Sequence, residues 1–445
     1  MLDRDTFTLV DKTLHAPTSI IYDRTGSRVG YADGMAEIAD SENAFVLQYV
    51  LYWGDASGKL TGYGALDTIA KTGVSTKYVM MTNSYIPQQA TCLLAYGSDG
   101  SKESADCSTV DIPDSAKFSS EVPLYSFQVL SDVHIAAWDS IADINFDSAL
   151  KDIKKTDPSS SAVVFVGDSV DCGQDATYQK FMSIINANKV GLPNFIYAIG
   201  NHEYMETVSD PYEHSVDGKL QKWLNYTKAP GVYYDKYIGG QHFIIMGSEE
   251  SAYHDDDCDI SQTQFDWLKS KLAETKNKKE PIYLYLHQSM SNTVAGSIGM
   301  KGTPDAQGWY GMKPNQEIQL RDILKKYPQV VLFNGHSHWT LESDHEMYDG
   351  KNAFASIFNT ASVGYLWSDA QASIYESEGL YVEVYPDRLL VRGRNFTKST
   401  WIPKASLVLD LNEKCAGIST SNQDSTSIVE QQNSNKAGIC ILGRN

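Results

Sequence analysis

The stretch Tyr125-Ser126-Phe127-Gln128-Val129-Leu130-Ser131-Asp132-Val133-His134 reads as an apolar strand running directly into an Asp-x-His pair. Four later segments repeat the arrangement. Strand candidate Ala162–Val166 meets Gly167-Asp168-Ser169-Val170-Asp171, Asn194–Ile199 meets Gly200-Asn201-His202-Glu203, Ile282–Leu286 meets His287, and Val330–Phe333 is followed by Gly335-His336-Ser337-His338. Ligands bind outside the carboxyl ends of strands in open α/β sheets, so shared sheets would bring all five segments to one rim.

Between these strands the period becomes helical. Tyr178, Phe181, Met182 and Ile185 recur at helical spacing, and Ser261-Gln262-Thr263-Gln264 has the form of a capping box ahead of Phe265, Leu268 and Leu272. Strands alternating with helices predict a layered α/β domain over residues 123–411. Phe243–Met246 adds a strand, and Leu380–Val384 with Leu389–Arg394 predict a second sheet packed on the first.

Upstream, residues 1–122 alternate apolar and polar positions in short runs such as Thr18–Tyr22, Ala44–Val50 and Thr91–Tyr96, separated by turns such as Gly54-Asp55-Ala56-Ser57-Gly58. That is the pattern of an all-β sandwich of fibronectin or immunoglobulin type, an accessory domain with no catalytic cluster of its own. Ser101–Ser120 is polar, leads to Pro123 and reads as a linker. Residues 412–445 turn to Ser, Asn, Gln and Thr and read as a flexible polar tail.

A chain of 445 residues is long enough for two cores, and 42% hydrophobic residues can fill them. The formal charge of −19 opposes attraction to nucleic acid or anionic membranes. The short basic runs Lys276-Asn277-Lys278-Lys279 and Lys325-Lys326 read as solvated helix ends. No apolar run has the length of a membrane span, and the start does not resemble a signal peptide. Cys92, Cys107, Cys172, Cys258, Cys415 and Cys440 show no C-x-x-C spacing, which removes thiolate zinc motifs. Cys92 with Cys107 and Cys415 with Cys440 are possible local bridges, and six free thiols are an equal alternative. An extracellular or cell-surface address is the expectation.

The five segments supply imidazoles, carboxylates and an amide, donors that suit zinc, iron or manganese. A carboxylate can bridge two ions roughly 3.5–4 Å apart, which grip both the attacking and the non-bridging oxygens of an in-line displacement at phosphorus. Alone, an Asp-x-His or a Gly-Asn is an ordinary structural feature. Jointly they are not, because five of the ten histidines fall in these segments, each where a strand gives way to a loop.

In this order, D-x-H, G-D-x-x-D, G-N-H-E, H and G-H-x-H, the chain resembles the calcineurin-like metallophosphoesterase family from about Tyr125 to Asn395. The resemblance implies a four-layer α/β/β/α sandwich and two divalent or trivalent transition ions, iron, manganese or zinc. It implies hydrolysis of a small phosphorylated substrate by a metal-held hydroxide. Asp132, His134, Asp168 and His338 would hold one ion; Asp168, as the bridge, with Asn201, His287 and His336 would hold the other. His202 matches the family residue that contacts the phosphate and protonates the leaving group, a task suited to imidazole. Asp171 and Glu203 would support the ligands from behind. The layout is similar to plant-type purple acid phosphatases, which carry a tyrosine ligand where this chain has Asp171 and no histidine where it has His134. A coloured ferric site is therefore not expected.

Specificity is expected in loops. Ser289–Pro314, with Trp309 and Tyr310, is a candidate cover for the site, and Ser248–Asp259 a candidate flank. Tyr365 and Trp367 either line the pocket or pack in the core. The motif forms lean toward a phosphodiesterase; the alternatives are a phosphomonoesterase of acid or alkaline phosphatase type and an inert cell-surface binding scaffold.

Overall fold

The structure is a computed structural model and describes residues 13–24, 28–81, 83–119, 122–205, 216–251, 258–274, 280–298, 311–350, 354–370 and 372–415. In the N-terminal region, strands β1 (Ser19–Asp23), β2 (Met35–Ala39), β3 (Gln48–Asp55), β4 (Gly58–Lys59), β5 (Asp67–Ala70), β6 (Ser75–Val79), β7 (Cys92–Ser98) and β8 (Ser108–Asp111) form two antiparallel sheets. One has the order β1-β2-β6, and in the other β4-β3-β7-β8 is joined by β5 pairing β3. Alternate residues of both sheets, among them Ile20, Ile38, Tyr49, Leu51, Trp53, Leu93 and Ala95, share one core.

Two expectations for this region change, and one open alternative closes. Ala44–Val50 enters a strand only at Gln48, because Asn43 folds the preceding backbone into a turn: Phe45 N–H donates to Asn43 Oδ1 at 2.9 Å. The stretch read as a linker contributes β8, whose backbone pairs with β7 while its side chains stay largely in solvent. Lys117, near its end, is tied to the carbonyls of Gln88 and Ala90 at 3.2 and 2.9 Å. Cys92 and Cys107 are free thiols. Ser108 pairs with Ala95, so Cys107 lies level with Tyr96, about 13 Å along the strand from Cys92 and beyond disulfide reach. Cys440 and the tail beyond residue 415 lie outside the described residues.

The remainder is mixed α/β. In order come β9 (Tyr125–Leu130), α1 (Ile141–Thr156), β10 (Ala162–Val166), α2 (Asp175–Asn188), β11 (Asn194–Ala198), α3 (Val216–Thr227), β12 (Tyr234–Ile238), β13 (Gln241–Ile245), the short pair β14 (Glu250–Ser251) and β15 (Cys258–Asp259), α4 (Gln262–Ala273) and β16 (Ile282–Tyr285). There follow α5 (Pro314–Leu324), β17 (Val330–Asn334), β18 (Met347–Tyr348), β19 (Ser356–Asn359), the pair β20 (Leu366–Trp367) and β21 (Ser373–Ile374), β22 (Glu378–Val384), β23 (Arg388–Asn395), β24 (Thr400–Asp410) and α6 (Leu411–Cys415).

Two six-stranded sheets result, ordered β11-β10-β9-β22-β23-β24 and β12-β13-β16-β17-β19-β18. Their facing sides bury Phe127, Val129, Val164, Phe243, Tyr283, Tyr285, Phe333 and Phe358 in one core. On its other face the first sheet packs against α1 and α2 through Phe146, Leu150, Phe165, Phe181 and Ile185, and the second against α4 and α5 through Phe265, Leu268, Leu284, Leu320 and Leu332. Strands buried on both faces read as unbroken apolar runs, which is why Ala162–Val166 is apolar throughout.

The capping box forms only in part. Ser261 Oγ accepts the Gln264 N–H at 3.2 Å, but the Gln264 side chain is turned inward to clasp the backbone of Gly247. The N-terminal region docks on β24, where Tyr85 N–H donates to Ser406 O and Val408 N–H to Asn83 O, both at 2.8 Å.

Candidate metal centre

Strands β9, β10 and β11 run parallel, as do β13, β16, β17 and β19. The carboxyl ends of both sets open on the same place, where the structure brings together Asp132, His134, Asp168, His202, His287, His336 and His338. Among the described residues ten non-glycine positions have positive φ, and Asp132, His134, Asp168, His336 and His338 are five of them, with φ between 50° and 71°. Left-handed backbone is disfavoured for such residues, so its concentration here marks side chains aimed against local preference. The glycines of the motifs make room for the turns. A Cβ at Gly200 would lie 2.1 Å from Asp168 Oδ1, and one at Gly335 would lie 1.8 Å from Ser131 Oγ.

Three overlapping groups place one donor atom from each member within 4.8 Å of the others: Asp132, His134 and His338; His134, Asp168 and His202; and Asp168, His287 and His336. Asp132 Oδ1 is 3.1 Å from His338 Nε2 and 3.8 Å from His134 Nε2. Asp168 Oδ2 is 3.0 Å from His287 Nε2 and 3.7 Å from His134 Nε2, so one carboxylate touches both sides of the cluster. The two Nε2 atoms of His134 and His338 stand 3.0 Å apart, and His336 Nδ1 is 3.2 Å from His287 Nε2.

These spacings suit shared cations. Ligand atoms about 2.1 Å from a tetrahedral ion lie roughly 3.4 Å from each other. The outer nitrogens agree: His287 Nδ1 faces Val166 O at 2.6 Å, His338 Nδ1 faces Tyr365 O at 3.2 Å, and His134 Nδ1 faces Asp171 Oδ1 at 3.1 Å. With protons assigned to those Nδ1 atoms, each Nε2 lone pair points into the cluster, the tautomer that metal-ligating histidines adopt.

Charge tells the same story. Burial alone would raise the Asp132 carboxyl, yet His338 and His287 hold it well below the usual carboxylate range. Asp168 is likewise lowered against its burial, by His287 and His202. Burial would depress His287, but Asp168 and Asp132 raise it to about 9. His134 is raised well above its ordinary value, against burial, chiefly by Asp132 and Asp171. Burial and the neighbouring His287 push His336 down to about 3, and burial also lowers His338. Two buried carboxylates thus draw positive charge to the centre.

His202 stands apart. Its side chain is 23% exposed, against 7% or less for His134, His287 and His338. Its Nδ1 faces the Asp171 carbonyl at 2.9 Å, and its backbone N–H donates to Asp168 Oδ1 at 2.9 Å. Asp171 therefore serves two rings, His134 through its carboxylate and His202 through its carbonyl. Glu203 is fully buried and accepts the N–H groups of Asp168, Ser169 and Gly200 at 3.1, 2.7 and 2.7 Å. Burial and the charge of Asp168 raise its carboxyl to about 7. Asn201 is buried at the start of the short turn His202–Tyr204.

Tyr365, ambiguous in sequence, packs its ring 4.4 Å from that of His338 and 5.6 Å from that of His134. Trp367 donates its backbone N–H to His338 O at 2.8 Å. Trp309, Tyr310 and Asp255-Asp256-Asp257 lie outside the described residues. Sequence reasoning missed Ser362, whose Oγ donates to Asp132 O at 2.8 Å, and Trp138, whose only signal is its place four residues after His134.

Among known proteins, the family model described as calcineurin-like phosphoesterase matches residues 125–340. Two curated relatives, the cyclic GMP-AMP phosphodiesterases SMPDL3A of Bos taurus and Homo sapiens, are 24% and 23% identical over 216 residues. The match spans 43% of this chain and 46% of each relative, so the chain covers about half of their length. A solved purple acid phosphatase, PPD1 from yellow lupin (Lupinus luteus) seeds, aligns over 88% of this chain and 74% of its own at 12% identity, with a TM-score of 0.46. Residues 125–340, just under half of the chain, are a calcineurin-like phosphoesterase domain.

Proposed function

We propose that the chain hydrolyses phosphodiesters at a dinuclear metal centre. The carrying observation is the position of Asp168, whose Oδ2 lies within 3.7 Å of both His287 Nε2 and His134 Nε2 and can serve two ions at once. In this reading Asp132, His134, Asp168 and His338 hold one ion, and Asp168, Asn201, His287 and His336 the other. Bound ions supply charge against the phosphate oxygens and acidity for a water-derived nucleophile near neutral pH. Iron, manganese and zinc all suit this donor set.

The chain's own groups do the rest. His287 and His338 are oriented by main-chain carbonyls, and His134 by Asp171. His202, more exposed than the other rings and fixed through Nδ1, presents Nε2 to a bound ester and can give its proton to the leaving oxygen. The diester preference draws support from Asp139 and Asp171, which line the adjoining cavity and repel the second charge of a monoester dianion. The printed activity of the SMPDL3A relatives also leans that way.

We extend the proposal to the architecture, reading residues 123–411 as a four-layer α/β/β/α sandwich, residues 1–122 as a fibronectin- or immunoglobulin-like accessory domain and 412–445 as a tail. An extracellular or cell-surface address and a small phosphorylated substrate belong to the same reading; among the described residues no helix is long and apolar enough to cross a membrane. The test is metal analysis with turnover of bis(p-nitrophenyl) phosphate and p-nitrophenyl phosphate. About two tightly held transition ions and faster cleavage of the diester are expected. Folded protein that holds no ion and cleaves neither ester would instead be a scaffold.

A further inference from the structure

Against the metal centre lies a small cavity, the one lined by Asp139 and Asp171, whose aromatic walls the chemistry above leaves without a role. Its volume is about 170 Å³, and His134, Trp138, Asp139, Asp171, Tyr365 and Tyr375 are among its walls. Two members of the candidate centre, His134 and Asp171, thus face both spaces. Trp138 is 66% exposed and Tyr375 is 65% exposed. A single exposed aromatic is unremarkable, but two meeting at one cavity beside a buried histidine cluster form a surface waiting for a flat partner.

The walls are held in place. Lys180 Nζ bonds the carbonyls of Ala136 and Asp139 at 2.8 and 2.9 Å and pairs with Asp143 at 2.6 Å, which fixes the loop that carries Trp138. Tyr365 continues the aromatic wall to the His338 ring, 4.4 Å away. Size limits the occupant. A cavity of about 150 Å³ accepts benzene, whereas sites for whole small molecules run to about 300–1,000 Å³, so this space takes one ring system rather than a complete ligand. Charge limits it further. Among the described residues, the ionisable lining groups besides His134 and the tyrosines are the carboxylates of Asp139 and Asp171, with no Lys or Arg. An additional phosphate is unwelcome there, and a ring edge bearing N–H donors is favoured.

We infer that this cavity is the subsite for a planar heteroaromatic group with N–H donors, of nucleobase type, attached to the phosphoester whose phosphate lies at the metal centre. Trp138 and Tyr375 are its stacking surfaces. The inference rests on the phosphoesterase reading and goes beyond it by naming the organic half of the substrate.

Calorimetric titration of the metal-loaded chain with adenosine 5′-monophosphate and with ribose 5-phosphate isolates the base, since the two share sugar and phosphate. The nucleotide should bind about 10-fold or more tightly, the scale of one base–aromatic stack. The double variant Trp138→Ala/Tyr375→Ala should bring the two affinities close to parity, with metal content and ribose 5-phosphate affinity unchanged; Trp138→Phe should keep most of the preference. Equal affinities in the unaltered chain, or a preference that survives the double variant, overturn the subsite. Turnover of bis(p-nitrophenyl) phosphate is read alongside. Its absence with the base preference intact defeats the phosphoesterase reading and leaves the subsite standing, whereas turnover without base preference does the reverse.

Discussion

The two sheets furnish the centre in different ways. Loops leaving β9, β10 and β11 are laced by carboxylates: Glu203 gathers three backbone N–H groups, Asp168 takes that of His202, and Asp171 braces His134. Loops leaving β16 and β17 are held by neutral groups, with His287 and His338 facing main-chain carbonyls and Asn334 Nδ2 donating to Leu286 O at 2.6 Å and Gln288 O at 3.0 Å. One bond of the reverse kind joins the sides, His336 N–H to Asp132 Oδ2 at 2.9 Å. The first wall concentrates negative charge and depends on cations to balance it. The second is held chiefly by dipoles, with charge reaching it only from the first wall, where Asp168 Oδ2 faces His287 Nε2 at 3.0 Å.

The largest effect should come where the walls meet. Asp168→Ala removes the carboxylate that faces both, so both ions and turnover should fall to background in metal analysis and ester assays. Full occupancy in that variant would show that the walls bind independently.

Next is His202→Ala, on the carboxylate-laced side. It should lower kcat by roughly 100-fold, the usual weight of general acid catalysis, while metal content stays unchanged. An unaltered rate removes His202 from the chemistry. Asp171→Ala should act through His134 instead, weakening metal affinity by about 10- to 100-fold, the range for partners that orient a ligating histidine. Excess metal should then restore most of the rate; a deficit that metal cannot repair means Asp171 acts on His202 through its own backbone position.

The contrast also explains what was legible beforehand. Strands β10 and β16, and β17 up to its final Asn334, stand out in sequence because burial on both faces leaves apolar runs, and each of them, like β9, ends within two residues of a Gly, His or Asp that the sheet could not use. The left-handed backbone at Asp132 and His338 has no such signature, since φ follows from tertiary contacts and not from the residue itself. Glu203 shows the same limit. Its adjacency to His202 is plain in sequence, but its grip on Asp168 and Ser169 spans more than thirty positions and exists only once β10 and β11 pair. Strand β8 was hidden because an edge strand with polar outward residues has the composition of a linker.

The smallest effect on turnover is expected from the neutral side, and it sharpens the comparison most. Asn334 sits at the end of β17 and crosses to two carbonyls on either side of His287, so Asn334→Ala leaves both buried without that donor. Unsatisfied buried carbonyls cost about 1–3 kcal/mol, and denaturant unfolding of the metal-free chain should register a loss of that size. Turnover with metal present should fall by less than in Asp171→Ala, because His287 Nδ1 keeps its own bond to Val166 O and bound ions would draw the ring back into line. A variant that is as stable as the unaltered chain but loses metal would reverse the assignment, making the second wall the one that charge holds together.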